Sequence, residues 1–153
     1  MDELTLTIPG EPVPWAAKQT SRKTGHRYIP ARQEEATGRV IRAVQEALQR
    51  GVPGFLADEP LELSAFFYVK RPKRHYGTGK NSRTIKPAFV DARPTGKPDL
   101  SNLTKLLEDG LVLGGLLPDD DQIVGFYHGP KKFYTSTLEE LPRTVARIRR
   151  VES

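Results

Sequence analysis

Leu4, Leu6 and Ile8 alternate with Thr5 and Thr7, the period-two pattern of a half-buried strand, and Pro9-Gly10 ends it. From Ala31 to about Arg50 the period lengthens. Ala36, Val40, Ile41, Val44, Ala47 and Leu48 form one apolar stripe with Glu, Gln and Arg opposite, which predicts a helix stopped by Gly51 and Pro53. Leu61 to Lys70, LELSAFFYVK, is rich in aromatic and β-favouring residues and predicts a second strand. Ser101 to Leu113 predicts a second helix, with Leu103, Leu106, Leu107 and Leu111 on its buried stripe. Ser101, Lys105, Glu108 and Asp109 line its polar stripe, and Gly114-Gly115 end it. Gln122 to Lys132 reads as a strand interrupted by Gly125 and Gly129, and Leu138 to Pro142 as a turn. Thr144, Ala146 and Ile148 then alternate with Val145, Arg147 and Arg149 in a final strand. The order β-α-β-loop-α-β-β predicts an α+β (mixed α/β) fold, a small sheet carrying two main helices. No repeat, heptad or linker divides the chain, so residues 1–153 are expected to form a single domain with long basic loops.

Composition explains the gaps between these elements. Hydrophobic residues make up 37% and charged residues 28% of the chain, so long solvated segments are expected. A net charge of +5 suggests an anionic partner. The absence of cysteine excludes disulfides and thiolate zinc sites. The start MDELTLTIPG lacks the basic and apolar regions of a signal peptide, and no apolar run approaches the roughly 20 residues of a membrane span. The expectation is a cytoplasmic protein without membrane contact.

The positive charge is concentrated in two loops. The first carries Lys18, Arg22, Lys23 and Arg27 between Trp15 and Tyr28, and suits either a phosphate backbone or a solvated loop pinned by aromatics. The second, Lys70 to Lys97, holds nine bases against Asp91 alone, with glycines, prolines and no apolar period. It predicts a long mobile arm that adds little core and grips phosphates through Arg71, Lys73, Arg74, Lys80, Arg83 and Lys86. His26, His75 and His128 have no metal-ligand spacing and read as loop or surface residues.

Between and beyond these bases lies an acidic stretch, Lys97 to Gln122, KPDLSNLTKLLEDGLVLGGLLPDDDQ. Concentrated carboxylate in a basic protein is costly unless a cation occupies it, and a hydrated divalent ion is the usual one. Phosphodiester hydrolysis would use such an ion, held by one or two carboxylates, with a lysine nearby to stabilise charge. Each residue also has a plainer reading. Asp99 or Ser101 suits a helix N-cap, Asp119 to Asp121 a solvated turn, and Lys105 a surface position. A site shared by Asp99 and Asp120 demands that segment 114–118 bring the chain back along a helix about 18 Å long.

At these residues the chain resembles the RusA family of Holliday junction resolvases, often phage-encoded. The resemblance rests on KPDLSNLTK, set against the family's Asp-Leu-Asp-Asn-Leu-x-Lys segment, and on Asp119-Asp120-Asp121-Gln122, set against Asp-Asp-x-Gln. The initial strand, the Val-Pro-Trp loop and the RPK-H-YGTGKN loop are also in the style of phage members. The resemblance implies Asp99, Lys105 and Asp120 as catalytic residues. It implies a Mg²⁺ site, with Mn²⁺ as substitute, drawing on Asp99, Asp120, Ser101, Asp119 and Asp121. It further implies a homodimer that binds four-way DNA junctions and cuts them symmetrically. Asp109 matches an acidic residue often found one turn after the lysine. Where the family has its second aspartate this chain has Ser101, a neutral and weaker ligand. Ser101 then holds metal through water, or Asp119 or Asp121 substitutes, or the protein binds junctions with little cleavage. Asp109 lies on the Ser101 stripe but about 12 Å further along it. The functions in competition are a metal-dependent junction nuclease and a non-cleaving junction binder of the same fold; a metal-binding module without DNA leaves the basic loops unexplained.

Overall fold

In the computed structural model, which describes residues 3–152, the N-terminal alternation becomes β1 (Glu3–Pro9) with Leu4, Leu6 and Ile8 buried. β1 pairs antiparallel with β7 (Arg143–Arg150), and β7 pairs antiparallel with the central strand β4 (Leu61–Val69). Thr144, Ala146 and Ile148 of β7 face the same buried side, as their alternation predicts.

The predicted strand over 122–132 is instead two strands. β5 (Ile123–Phe126) and β6 (Lys131–Tyr134) each pair in parallel with β4, one along its beginning and one along its end. Gly125 lies within β5 and Gly129 marks the break: a Cβ on Gly129 would lie 2.9 Å from the Ala65 carbonyl oxygen, so the connection runs too close to β4 for a side chain. The first basic loop holds a small antiparallel hairpin, β2 (Gln19–Thr20) and β3 (Arg27–Tyr28), which the polar sequence did not announce.

Both helices, α1 (Ala31–Gln49) and α2 (Leu100–Leu113), pack on one face of the sheet. Val40, Val44 and Ala47 of α1 meet Leu103, Leu107 and Leu111 of α2 and Leu61, Leu63 and Phe67 of β4 in the core. The helices approach closely because α2 has no side chain at Gly110, where a Cβ would fall 2.6 Å from Val40. That contact fixes which stripe of α2 faces outward. Among the described residues no helix covers the opposite face of the sheet. Arginines lie there on aromatic rings, Arg143 4.0 Å from the Tyr68 centroid and Arg149 3.8 Å from that of Tyr127. Ion pairs Arg143–Glu140 and Arg149–Glu62 reduce the positive charge of that face.

The second basic loop corrects the sequence reading most. It is packed, not an arm without core. Arg71, expected to grip phosphate, is only 6% exposed. Its Nε donates to the Thr135 carbonyl at 2.8 Å and its Nη1 to the Phe89 carbonyl at 2.8 Å. The same Nη1 lies 3.2 Å from His75 Nδ1. His75, expected at the surface, is 2% exposed, stacked on Phe89 at 4.3 Å and edge-on to Tyr134. A guanidinium only donates, so His75 Nδ1 accepts and the ring is neutral with its proton on Nε2. Burial, then the charges of Arg74, Arg71 and Lys86, hold its pKa below the usual histidine value. Around this knot Tyr76 bridges to Ile85, and short 3-10 turns leave Lys73, Arg74, Lys80, Arg83 and Lys86 exposed. Aperiodic contacts of this kind build a core that hydrophobic patterning does not reveal.

Candidate active site

The entrance of α2 is pinned from three directions. Lys132 Nζ, on β6, donates to the carbonyls of Gly96 and Pro98, each at 2.9 Å. The Thr104 hydroxyl donates to the Leu100 carbonyl at 2.9 Å. The Trp15 N–H donates to the Asn102 carbonyl at 2.9 Å, while the next N–H, of Ala16, donates to Oε1 of buried Gln33 on α1. Asp99 occupies the N-cap position, yet its side chain caps no backbone N–H; both carboxylate oxygens instead accept from Lys97 Nζ at 3.2 Å. Ser101 is exposed on the first turn. One turn on, Lys105 Nζ sits 3.5 Å from the centroid of the Trp15 ring.

A second acidic group gathers at the other end of the helix. Leu116 and Leu117 are buried after the Gly114-Gly115 turn, and the Leu116 carbonyl accepts from Phe55 N–H at 2.8 Å. The chain then enters a 3-10 turn, Asp120–Gln122, closed at both ends by side chains. Asp119 Oδ1 accepts from Asp121 N–H at 3.0 Å, and Gln122 Oε1 accepts from Asp119 N–H at 3.1 Å. Gln122 Nε2 donates to the carbonyls of Leu56 and Glu59, at 2.8 and 3.2 Å, so this buried amide ties the turn to the segment before β4. The result brings Asp119, Asp120 and Asp121 together, with one oxygen from each within 4.8 Å of the others.

These carboxylates press on one another. Burial raises the Asp120 pKa above the usual range, helped by its hydrogen bond with Asp119 and the charges of Asp119, Asp121 and Asp109. Glu108, half-buried on α2, is pushed up to about 7 by burial first and then by Asp120 and Asp109. Asp109, Asp119 and Asp120 line one open cleft of ≈ 340 Å³ with Val112, Leu113 and Pro118. Asp119 and Asp121 line a second of ≈ 510 Å³ with Glu59 and Gln122.

The sequence-derived acidic residues thus fall into two places, at the two ends of α2. Asp99 and Ser101 stand at its entrance; Asp119, Asp120 and Asp121 face its last turns, beside Glu108 and Asp109. Ten residues of helix separate Asp99 from Asp109, about 15 Å of axial rise. Segment 114–118 therefore returns the chain toward the C-terminal half of the helix. Lys105 lies between the two places, four residues before Asp109. Lys18, Arg22, Lys23 and Arg27 are all exposed on or beside the β2–β3 hairpin, and Arg83 pairs with Glu139. Sequence reasoning missed the carboxylate coupling of Glu108, the anchoring by Lys132 and the contact between Trp15 and Lys105. All three join residues distant in the chain, and only the adjacent pair Glu108-Asp109 left a visible signal.

A family model described as endodeoxyribonuclease RusA matches residues 9–149. No curated protein matches the chain. Matched from the end of β1 to the end of β7, with the Asp-Asp-x-Gln segment folded into a closed acidic turn, the chain belongs to the RusA family of Holliday junction-resolving endodeoxyribonucleases.

Proposed function

We propose that the protein is a divalent-metal-dependent endonuclease that resolves four-way DNA junctions by paired, symmetric phosphodiester cleavage in recombination and repair. The observation that carries this reading is the convergence of Asp119, Asp120 and Asp121 within 4.8 Å, in a protein whose exposed loops are basic. The donor set fits a hard cation: every ligand atom is a carboxylate oxygen, and Asp119 and Asp120 are close enough to share a hydrogen bond where an ion would neutralise both. Mg²⁺, with Mn²⁺ as substitute, is the ion this set suits. Bound there, it supplies Lewis acidity toward a phosphoryl oxygen and lowers the pKa of coordinated water.

The chain's own residues do the rest. Asp119, Asp120 and Asp121 hold the ion, with Asp109 on the same cleft. Lys105 offers an ammonium to the charge that builds on the phosphate. Lys73, Arg74, Lys80 and Lys86 with the β2–β3 hairpin hold DNA backbones, so binding depends strongly on salt and weakly on sequence. The family resemblance adds Asp99 to the essential residues and a homodimer as the cutting species, one acidic site per strand. No helix among the described residues is long and apolar enough to cross a membrane. The setting that fits is bacterial cytoplasm, with a phage or prophage as the source of the gene.

Ser101 favours a second reading, a junction binder with weak or no cleavage, because at the entrance of α2 Asp99 is paired to Lys97 and the next motif position holds an exposed serine in place of a carboxylate. A labelled synthetic four-way junction in Mg²⁺ or Mn²⁺ decides between them. Paired nicks that disappear in Asp120→Asn support the nuclease; tight binding without product in either metal supports the binder. A large rate gain in Ser101→Asp identifies a site impaired by the serine.

A further inference from the structure

Lys105 has two carboxylates within helical reach, Glu108 at i+3 and Asp109 at i+4, a spacing at which ion pairs form on helix surfaces. It pairs with neither, and forms no ion pair among the described residues. Its ammonium lies on the face of Trp15, 3.5 Å from the ring centroid. The indole is not placed there by chance contact of mobile loops. The Trp15 backbone N–H donates to the Asn102 carbonyl of α2, and the Ala16 backbone N–H to Oε1 of buried Gln33 of α1, so the backbone that carries the ring is fastened to both helices.

We propose that Trp15 is a positioning residue that holds Lys105 away from the acidic cluster, so that the carboxylates stay free for a cation and the ammonium stays free for phosphate. The inference rests on the metal-nuclease reading above and assigns that site a residue outside its ligands. The physical logic is a competition. A lysine stem is flexible, and without the ring its ammonium is free to swing toward Asp109, one turn on along the helix, whose charge acts on Asp120. An ammonium on that carboxylate repels an incoming divalent cation and is itself no longer available to a phosphate. The indole face attracts the ammonium through its quadrupole without neutralising its charge, which a carboxylate cannot do.

The test is a double-mutant cycle on divalent-ion binding, read by calorimetry with Mn²⁺ alone, using wild type, Trp15→Leu, Lys105→Met and the double variant. Trp15→Leu is expected to weaken Mn²⁺ binding about threefold to tenfold, Lys105→Met to leave it equal or tighter, and the double variant to regain wild-type affinity. Recovery on removing a second side chain is something a merely structural role of Trp15 does not produce. Trp15→Phe, which keeps an aromatic face, should lie between wild type and leucine. Trp15 is the single tryptophan of the chain, so its emission reports the contact directly, and Lys105→Met should shift or brighten it. On a junction substrate, Trp15→Leu should lower the single-turnover rate at saturating Mg²⁺ by at least fivefold with junction Kd within twofold. Equal Mn²⁺ affinity in wild type and Trp15→Leu overturns this inference alone. A double variant that binds as weakly as Trp15→Leu does the same. Wild-type protein that binds no divalent ion overturns the metal-nuclease reading and this inference with it.

Discussion

Gln122 is the side chain on which the acidic turn depends, and its replacement gives the sharpest test of the site's construction. In Gln122→Ala three hydrogen bonds vanish: those from Nε2 to the carbonyls of Leu56 and Glu59, and that from Asp119 N–H to Oε1. Each is worth about 0.5–1.5 kcal/mol net, and a buried partner left alone costs about 1–3. The freed groups lie near the surface, since Leu56 is 71% exposed, so water recovers part of the loss. The sum is about 2 kcal/mol, or roughly 4–8 °C in Tm for a domain of this size. Because the turn aims all three carboxylates, divalent affinity should also fall by about tenfold, as for other groups that orient metal ligands. Gln122→Glu sharpens the test. It keeps an acceptor for Asp119 N–H but sets a carboxylate against two carbonyls and three aspartates, so it should be worse than alanine at pH 8 and improve as pH falls. Differential scanning calorimetry and Mn²⁺ titration measure both effects. A Tm within 1 °C of wild type together with unchanged metal affinity would refute the reasoning.

Four other outcomes follow from the same structure. Glu108 holds a proton in the native state up to about pH 7 that the unfolded chain releases near its ordinary 4.5, so its contribution to stability falls as pH rises through that window. The metal-free protein should lose about 1–2 kcal/mol more than Glu108→Gln between pH 5 and pH 8, allowing for screening at a half-exposed site; parallel urea midpoints in EDTA would contradict this. Arg71→Met strands the Thr135 and Phe89 carbonyls and should cost about 3 kcal/mol while leaving the salt slope of junction binding unchanged, whereas Lys80→Met should leave Tm intact and reduce that slope by about one. His75, held neutral below its usual pKa, stabilises the loop fully above about pH 6.5, and that contribution is lost as pH falls, which limited proteolysis across 77–86 would detect. Gly110→Ala gains about 1 kcal/mol of helix propensity but drives a methyl to 2.6 Å from Val40, for a net loss of about 1–2 kcal/mol that Val40→Ala should relieve; an alanine variant more stable than wild type would show that the helices yield freely.

The sequence by itself determined the elements whose burial is periodic. β1, α1, β4, α2 and β7 each place apolar residues on one face at a fixed interval, so local spacing was enough to find them and their inward sides. It also exposed the acidic triplet, the basic loops and the family motifs, because these are contiguous. Tertiary structure alone decided what is assembled from distant residues. Whether segment 122–132 was one strand or two depended on how closely it ran past Ala65. Arg71 and His75 looked like surface charge, yet a guanidinium surrounded by carbonyls and rings can be buried, and those partners lie as far away as Thr135. The placement of the triplet was decided in the same way. Leu116 and Leu117 enter the core immediately after α2, and Gln122 fastens the turn to Leu56 and Glu59, so Asp120 comes to rest beside Glu108 and Asp109. The close approach at Gly110 sets the outward stripe of α2, and the Trp15 loop, tied to both helices, settles where Lys105 points. Periodicity records which side of an element is buried; it holds no record of which charges meet across the fold, because that depends on the packing of the whole core.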